Sequence, residues 1–395
     1  MIMSNLPFEK VLVTGGTGHL GTALIHHLVR KGLSPQNIRV LYLAGTPTEG
    51  LADLPGVELV AGNVLSESDV KGALQGVTHV FHMVGNTTFD PFKKKGQWLV
   101  NVEGTRNVLE ACLNVPSIQK IVYTSTVNTL GVPSPVGSLG TEETSPYTSS
   151  PRMHSFDSPV AILRFADDVH AGTAPANWVK RIGIGYFDSK LAAQEIVTRF
   201  YKDHRLPVVS VLPGTNFGPY DNMVGSGMYL LRVYHNAMPG YTAGGGFPLT
   251  HVCDQAEGHL LAMTKGKPGE RYIITGRAED NMPMGDMLRT IAEVLREKEP
   301  SKRINVPSKE IPTSVAKFGA ALYELYAKLF KKPCLLSRDA VRAGSFLSFY
   351  SYAKAERELG FVPKRTFRQA IGDMFDYYKA HDLLHVRERL ADKLK

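Results

Sequence analysis

The chain has 395 residues, 43% hydrophobic and 21% charged, with a formal net charge of +8. That length accommodates about two domains and a sizeable core, and the composition excludes a disordered or fibrous chain. Three cysteines far apart in sequence (Cys112, Cys253 and Cys334), with no CxxC or Cys/His cluster, exclude a disulfide framework and predict no metal site.

In chain order, short β-rich runs alternate with helical stretches, the pattern of βαβ units and a parallel sheet. Strands are predicted at Lys10–Thr14, Ile38–Leu43, Val57–Val60, His79–Val84 and Lys120–Ser125, with helices after the first strand, around Val70–Leu74 and over Asn101–Leu113. The rhythm then breaks. Val132 to Ile184 is rich in Pro, Ser, Thr and Gly, and a stretch this long without periodicity is uncommon inside a compact domain. A helix from Tyr186 to about Asp203 follows, then strands at Pro207–Leu212 and Arg271–Thr275, then a mostly helical remainder. The fold class is α/β: a Rossmann-type, doubly wound, mostly parallel sheet with a smaller, mainly helical C-terminal substrate domain. The dinucleotide domain is expected over 7–215 and 249–276, with an insertion at about 133–183, and the substrate domain over 216–248 and 277–395.

Thr14-Gly15-Gly16-Thr17-Gly18-His19-Leu20-Gly21 lies directly between the first strand and the first helix. A glycine permits the turn, a second lets the backbone approach a pyrophosphate, and a third lets helix and strand pack closely. The helix N-terminus then offers free N–H groups to phosphate. The spacing Gly15-x-x-Gly18-x-x-Gly21 is a variant of GxGxxG, and its place between strand and helix is what makes it informative. An acidic residue after the second strand would bind a ribose 2′-hydroxyl. The sequence there is Leu41-Tyr42-Leu43-Ala44, which tilts the choice between NAD and NADP towards NADP. Asn63, after the third strand, is read equally as an adenine contact and as a turn residue.

Tyr186 and Lys190 stand four apart, on one helical face. A free phenol titrates near ~10, too high for efficient proton transfer at neutral pH, and a neighbouring cation is expected to lower it. Tyr350 and Lys354 share the spacing but lie beyond the predicted sheet, and are read as packing and surface charge. The fifth strand ends Tyr123-Thr124-Ser125-Thr126, where either Ser125 or Thr126 offers a hydroxyl to a substrate oxygen.

These segments, with VFHMVG at Val80–Gly85, NVEGTRNVLEAC at Asn101–Cys112, LPGTNFGP at Leu212–Pro219, HVCDQAEGH at His251–His259 and KAERELGF at Lys354–Phe361, resemble the extended short-chain dehydrogenase/reductase superfamily. The resemblance implies that Tyr186 is the acid/base, Lys190 its partner, Thr126 the Ser/Thr member, and Asn101 a fourth member supporting Lys190 through a water. It implies that the dinucleotide is held by Gly15, Thr17, Gly18, His19, Leu20, Gly21, Leu43, Asn63, Val64, Met83, Val84, Gly85, Thr124, Ser125, Tyr186, Lys190, Pro213, Gly214 and Thr215. His251 and Asp254 resemble a structural motif joining the two domains. Nucleotide-sugar epimerases usually carry Arg-Asp where this chain reads Phe247-Pro248-Leu249-Thr250, which resembles the dihydroflavonol reductase and 3β-hydroxysteroid dehydrogenase branch more closely.

The expected activity is reversible hydride transfer between NAD or NADP and a secondary alcohol or ketone of a moderately apolar, steroid- or flavonol-like substrate. The rivals are a nucleotide-sugar epimerase or dehydratase and a non-catalytic dinucleotide-binding protein. Tyr186 follows Thr126 by sixty positions, about thirty more than family members commonly have. Part of 133–183 is therefore expected to form either a lid carrying Phe165 and Trp178 or a plain surface loop. Val315, Phe318, Leu322, Leu325, Tyr326 and Leu329 form an apolar stripe followed by Lys331 and Lys332. Such stripes usually face a core, and the alternative is a surface anchor. The expected partner is a small molecule and no nucleic acid. Peripheral membrane contact and a homodimer are held open, and the expected location is cytoplasmic, with membrane association as the variant.

Overall fold

Runs such as Val11-Leu12-Val13-Thr14, apolar on both sides of the pleat, satisfy themselves only when both faces of a sheet are covered. The computed structural model describes residues 6, 8–133, 137–144, 183–238, 240–334 and 336–385. In it these runs form seven parallel strands: β1 (Val11–Thr14), β2 (Ile38–Tyr42), β3 (Glu58–Ala61), β4 (His79–His82), β5 (Lys120–Thr124), β6 (Val208–Pro213) and, after three short strands β7 (Thr215–Phe217), β8 (Tyr241–Thr242) and β9 (Gly246–His251), the edge strand β10 (Arg271–Ile274). Their order is β10-β6-β5-β4-β1-β2-β3. β1 pairs with both β2 and β4, so Val13 lies between Val40 and Phe81 and the winding reverses there. In an open α/β sheet that reversal opens a crevice at the carboxyl edge. This is the Rossmann-type doubly wound sheet expected, with every predicted strand of the sheet displaced by no more than about two residues at its ends.

Alternation of side chains across the pleat builds two cores. Val11, Val13 and Val40 pack under α1 (His19–Arg30), together with Val252, Ala256 and Leu260 of a later helix. Leu12, Leu41, Val80 and Ile121 face the other way, under α2 (Glu67–Ala73) and a long helical segment, where Val108 and Leu109 cover them. That segment begins earlier than predicted: α3 (Lys94–Trp98) runs through a π-helical turn, Leu99–Glu103, into α4 (Gly104–Leu113). Completing the same face is α5 (Gly185–His204), through Ala192, Ala193 and Ile196.

A third core lies in the C-terminal half. Leu231 of α6 (Met228–Tyr234) meets residues that follow α7 (Val252–Lys265): Met287 and Ile291 of α8 (Met284–Lys298), and Phe367 and Phe375 near the C-terminus. β9 pairs with β7 and with β11 (Asn281–Pro283) in a small sheet beneath it, while β12 (Glu310–Ile311) pairs with β8. After these come α9 (Thr313–Leu329), α10 (Arg338–Ala343), α11 (Ala353–Leu359) and α12 (Phe367–Ala380). The Asp254 carboxylate accepts from the backbone of Lys364 and Arg365 at 2.9 and 2.8 Å and pairs with the Arg365 guanidinium at 2.6 Å, while His251 bonds Asp373 at 3.0 Å. Both residues sit where α7 meets the C-terminal segment, the place the resemblance implies.

The start of the long non-periodic stretch covers the open edge of the main sheet. The Glu142 carboxylate accepts from the Ile273 N–H at 2.8 Å, and Gly140 bridges to Tyr350. Covering an edge strand in this way blocks pairing with other chains. Phe165 and Trp178, proposed above for a lid, lie outside the described residues. Tyr350 is buried with its hydroxyl on the Gly131 carbonyl, and Lys354 pairs with Glu270 at 2.6 Å, so that second Tyr–Lys pair packs as expected.

Candidate active site

The glycine loop is built by contact. Gly15 has φ +72°, and a Cβ there would stand 2.9 Å from the Val84 nitrogen. A Cβ on Gly21 would stand 2.3 Å from the Gly15 carbonyl oxygen, so α1 lies directly against the turn. Gly18 precedes α1, whose first turn holds no acidic residue. The leading N–H groups and positive dipole end are therefore not met by a carboxylate from the helix's own first turn. Thr17 is buried with its hydroxyl on Thr46, and Leu20 packs partly into the core beside α1. The His19 ring bonds Asn216 at 2.9 Å, turned towards the C-terminal half, so this residue offers the crevice its backbone rather than its imidazole.

The other residues that the resemblance assigns to the dinucleotide follow the carboxyl ends of successive strands. Leu43 is 55% exposed after β2. The Asn63 carboxamide oxygen accepts from the Leu65 N–H at 3.0 Å, the turn role. Val64 is buried against Gly104. Met83, Val84 and Gly85 follow β4, Thr124 ends β5, and Pro213, Gly214 and Thr215 link β6 to β7. Ser125 is buried with its hydroxyl lacking a hydrogen-bond partner. Arg39 is committed elsewhere: it pairs with Glu58 at 2.9 Å and donates to the carbonyls of Ala73 and Gln75 at 2.8 and 2.7 Å.

The four predicted catalytic residues converge beside this edge. The Tyr186 phenol, in the first turn of α5, stands near the Thr126 hydroxyl, which lies just after β5 and accepts from the Asn128 N–H at 3.3 Å. One turn on, Lys190 is buried and donates to the Thr124 carbonyl at 2.7 Å, with its ammonium 4.7 Å from the Tyr123 ring centre. Gly85 leaves room beside both Lys190 and Asn101: a Cβ there would lie 3.8 and 3.7 Å from their polar atoms. Asn101 sits in the π-helical turn, a distortion frequent at functional sites. Its amide donates to the Asn86 carbonyl at 3.0 Å and to the Ser189 hydroxyl at 2.9 Å, and its oxygen accepts from the Asn86 N–H at 2.7 Å.

One expectation is corrected here. Burial pushes the Tyr186 phenol up to about 12, against the hydrogen bond from Thr126, and burial draws the Lys190 ammonium down to about 7. The cation does not depress the phenol in this arrangement, because low polarity penalises both charged forms and the ammonium is directed at Thr124.

Several supporting residues escaped sequence reasoning. Thr105 donates to the Asn101 carbonyl at 2.7 Å, so it accepts from His82 Nε2–H at 3.1 Å; His82 Nδ1 then accepts from Thr14 at 2.8 Å, and Thr14 accepts from the Met83 N–H at 3.2 Å. This buried chain ties the end of β1 to the turn carrying Asn101. Asp339 of α10 accepts from the Gly185 N–H at 3.2 Å and pairs with Lys94 at 2.7 Å, holding the start of α5 across 154 positions of sequence. Phe89 presents an edge to Tyr186, with centres 5.8 Å apart. Ser189, Thr105 and Phe89 carry no local signal; only their spatial neighbours give them a role.

His82 and His259, the latter bonded to Thr124 at 3.0 Å, are held neutral by burial, down to about 3 and about 4 from an ordinary 6.5. The unfolded chain therefore binds more protons than the folded one between those values. Stability is full above pH ~6.5 and is lost as pH falls towards 4 and then 3, by about 1.4 kcal/mol per pH unit for each ring. Melting temperature should be flat near neutrality and drop below pH ~6, and His259→Gln should shallow that slope by about one proton. An unchanged acid slope in the variant would contradict this account.

Comparisons with known proteins agree with the geometry. Residues 12–157 match the 3-beta hydroxysteroid dehydrogenase/isomerase family, and residues 182–275 match the NAD dependent epimerase/dehydratase family. The chain is 29% identical over 376 residues to a putative dihydroflavonol 4-reductase of Synechocystis sp., covering 93% of this chain and 94% of that one. It is 24% identical to a 3-beta-hydroxysteroid dehydrogenase of Mycolicibacterium neoaurum, covering 93% and 91%. The crystal structure of gox2253 superposes with a TM-score of 0.71 at 29% identity, covering 94% of this chain and 98% of that chain. The NAD complex of Thermus thermophilus UDP-glucose 4-epimerase shares the fold, with a TM-score of 0.66 at 21% identity over 94% and 99%.

Proposed function

Because the chain belongs to the extended short-chain dehydrogenase/reductase superfamily, we propose that it is a reductase of ketones on moderately apolar, steroid- or flavonol-like small molecules. The observation that carries the reading is the junction of Tyr186, Thr126 and Lys190 at the carboxyl edge of β5, beside a loop cleared by Gly15 and Gly21. The close packing of α1 on the turn, which Gly15 and Gly21 permit, and the N-terminus of α1 suit a dinucleotide pyrophosphate. The backbone of Gly15–Gly21 would hold it, and Lys190 and Thr124 would hold the sugar next to the nicotinamide. A nicotinamide dinucleotide there supplies the hydride for reduction or accepts it in the reverse direction.

In the reductive direction Tyr186 donates a proton to the nascent alkoxide. Burial keeps the phenol protonated, the form that can donate. Thr126 orients the substrate oxygen, and Asn101, through Ser189, fixes the first turn of α5. The edge of Phe89 makes the surroundings of the phenol apolar. Phe247-Pro248-Leu249-Thr250 stands where epimerases usually carry Arg-Asp, and it offers no cation to a diphosphate. NADP is proposed over NAD because the end of β2 reads Leu41-Tyr42-Leu43-Ala44, with no carboxylate there to claim a ribose 2′-hydroxyl. Arg39 is not the phosphate ligand, since its guanidinium is already bound.

Incubation with NADPH or NADH and a panel of steroid and flavonol ketones tests this. One free cofactor should be oxidised per alcohol formed, faster with NADPH. Turnover of a sugar nucleotide with no net change in free cofactor would reverse the proposal in favour of an epimerase.

A further inference from the structure

The apolar stripe of α9 does not face a core, as its pattern predicts. It faces outward. Val315, Phe318, Leu322, Leu325, Tyr326 and Leu329 are all roughly half exposed or more, with Phe318 at 66% and Leu329 at 68%. The buried positions are Ala320, Glu324 and Ala327, on the opposite side of the helix. Small residues let α9 lie close to its support, and Glu324 anchors it through Arg338, with its carboxylate accepting from the backbone and guanidinium at 2.7 and 2.8 Å. A helix with its large apolar residues outermost is inverted with respect to water. A contiguous apolar patch of this extent is rare on a soluble monomer and marks a contact surface.

Charge decides the occupant. From Thr313 to Lys332 the cations are Lys317, Lys328, Lys331 and Lys332, and Glu324 is the one acid. Glu324 is turned inward and paired with Arg338, so it leaves the outer face uniformly basic. Lys317 and Lys328 border the stripe, and the other two lysines follow its carboxyl end. A second copy of the chain meeting this face about a two-fold axis would set lysines against lysines. An anionic lipid surface complements both features: acyl chains take the apolar stripe and headgroups take the lysines. The helix is seventeen residues long, and no helix among the described residues is long and apolar enough to cross a membrane, so α9 lies along the interface.

We propose that α9 is a docking face for the surface of an anionic bilayer. The face is linked to the site. α9 packs on α10; the Ser337 hydroxyl before α10 donates to the Phe89 carbonyl at 2.6 Å, and Asp339 caps α5. A docked α9 therefore sets the Tyr186 end of α5 near the lipid. That consequence, unlike docking itself, rests on the function proposed above.

The test is co-sedimentation of the full chain with vesicles of phosphatidylcholine containing phosphatidylserine, at low ionic strength. The wild type should pellet with these vesicles and bind pure phosphatidylcholine more weakly. The combined variant Phe318→Ser/Leu322→Ser/Leu329→Ser should lose at least about tenfold in partitioning while melting normally, since it alters only exposed side chains. Lys317→Glu/Lys328→Glu should lose binding selectively to the anionic vesicles. No pelleting of the wild type, or equal pelleting of the apolar variant, would overturn the proposal. So would a wild-type dimer that the apolar variant dissolves, in the absence of vesicle binding. The readout is lipid binding, so it stands or falls apart from the substrate reading.

Discussion

Replacing Tyr186 by Phe should lower kcat by roughly 10²–10⁴ while leaving dinucleotide affinity within about threefold. The ring remains against Phe89, and the variant removes the phenolic oxygen beside Thr126. Only a group transferring a proton in the transition state produces that division. A structural tyrosine would lower melting temperature and affinity together, with no special loss in kcat. Stopped-flow single turnovers with saturating NADPH and a responsive ketone separate the step from product release. An unchanged single-turnover rate would remove Tyr186 from the chemistry and leave the half-buried phenol without a function.

Gly21→Ala should be the most damaging single methyl group in the first half of the chain. Its Cβ would lie 2.3 Å from the Gly15 oxygen and 2.7 Å from the Gly16 Cα, both backbone atoms that no rotamer change displaces. Either α1 moves off the turn or the turn opens. Overpacking of this kind costs about 1–3 kcal/mol, and displacement of the helix N-terminus should weaken NADPH binding about 10- to 100-fold. Gly72→Ala in α2 is the matched control, because a Cβ there meets nothing within 4 Å. It should be neutral or slightly stabilising, as helix propensity predicts. Thermal shift with and without NADPH measures both terms, and equal behaviour of the two variants would show that α1 tolerates the displacement.

What could be read from the sequence was whatever depends on neighbours along the chain. Hydrophobic runs of four to six residues between turn signals located β1 to β6 and β10, because a strand buried on both faces must be apolar throughout. The loop Gly15–Gly21 and the pair Tyr186 and Lys190 were legible for the same reason: each function requires several residue types at fixed local spacing. That a hydroxyl at the end of β5 stands near Tyr186 was expected from strand ends lining a common edge, whereas the Lys190 bond to the Thr124 carbonyl was not.

The remainder was decided by packing between distant segments. Asp339 caps α5 from 154 positions away, and His82 joins β1 to Asn101 through Thr14 and Thr105. No local pattern announces either, since a buried polar residue is defined by the partners that satisfy it. The raised phenol of Tyr186 has the same origin: sequence spacing supplied a cation nearby, but in the fold the ammonium is directed at Thr124 and burial sets the phenol. The stripe on α9 shows the limit most directly. Periodicity along a chain establishes that a helix has an apolar side, and only the tertiary structure decides whether that side is turned to the core, as in α5, or to the outside, as in α9, because burial depends on what the rest of the chain places against it.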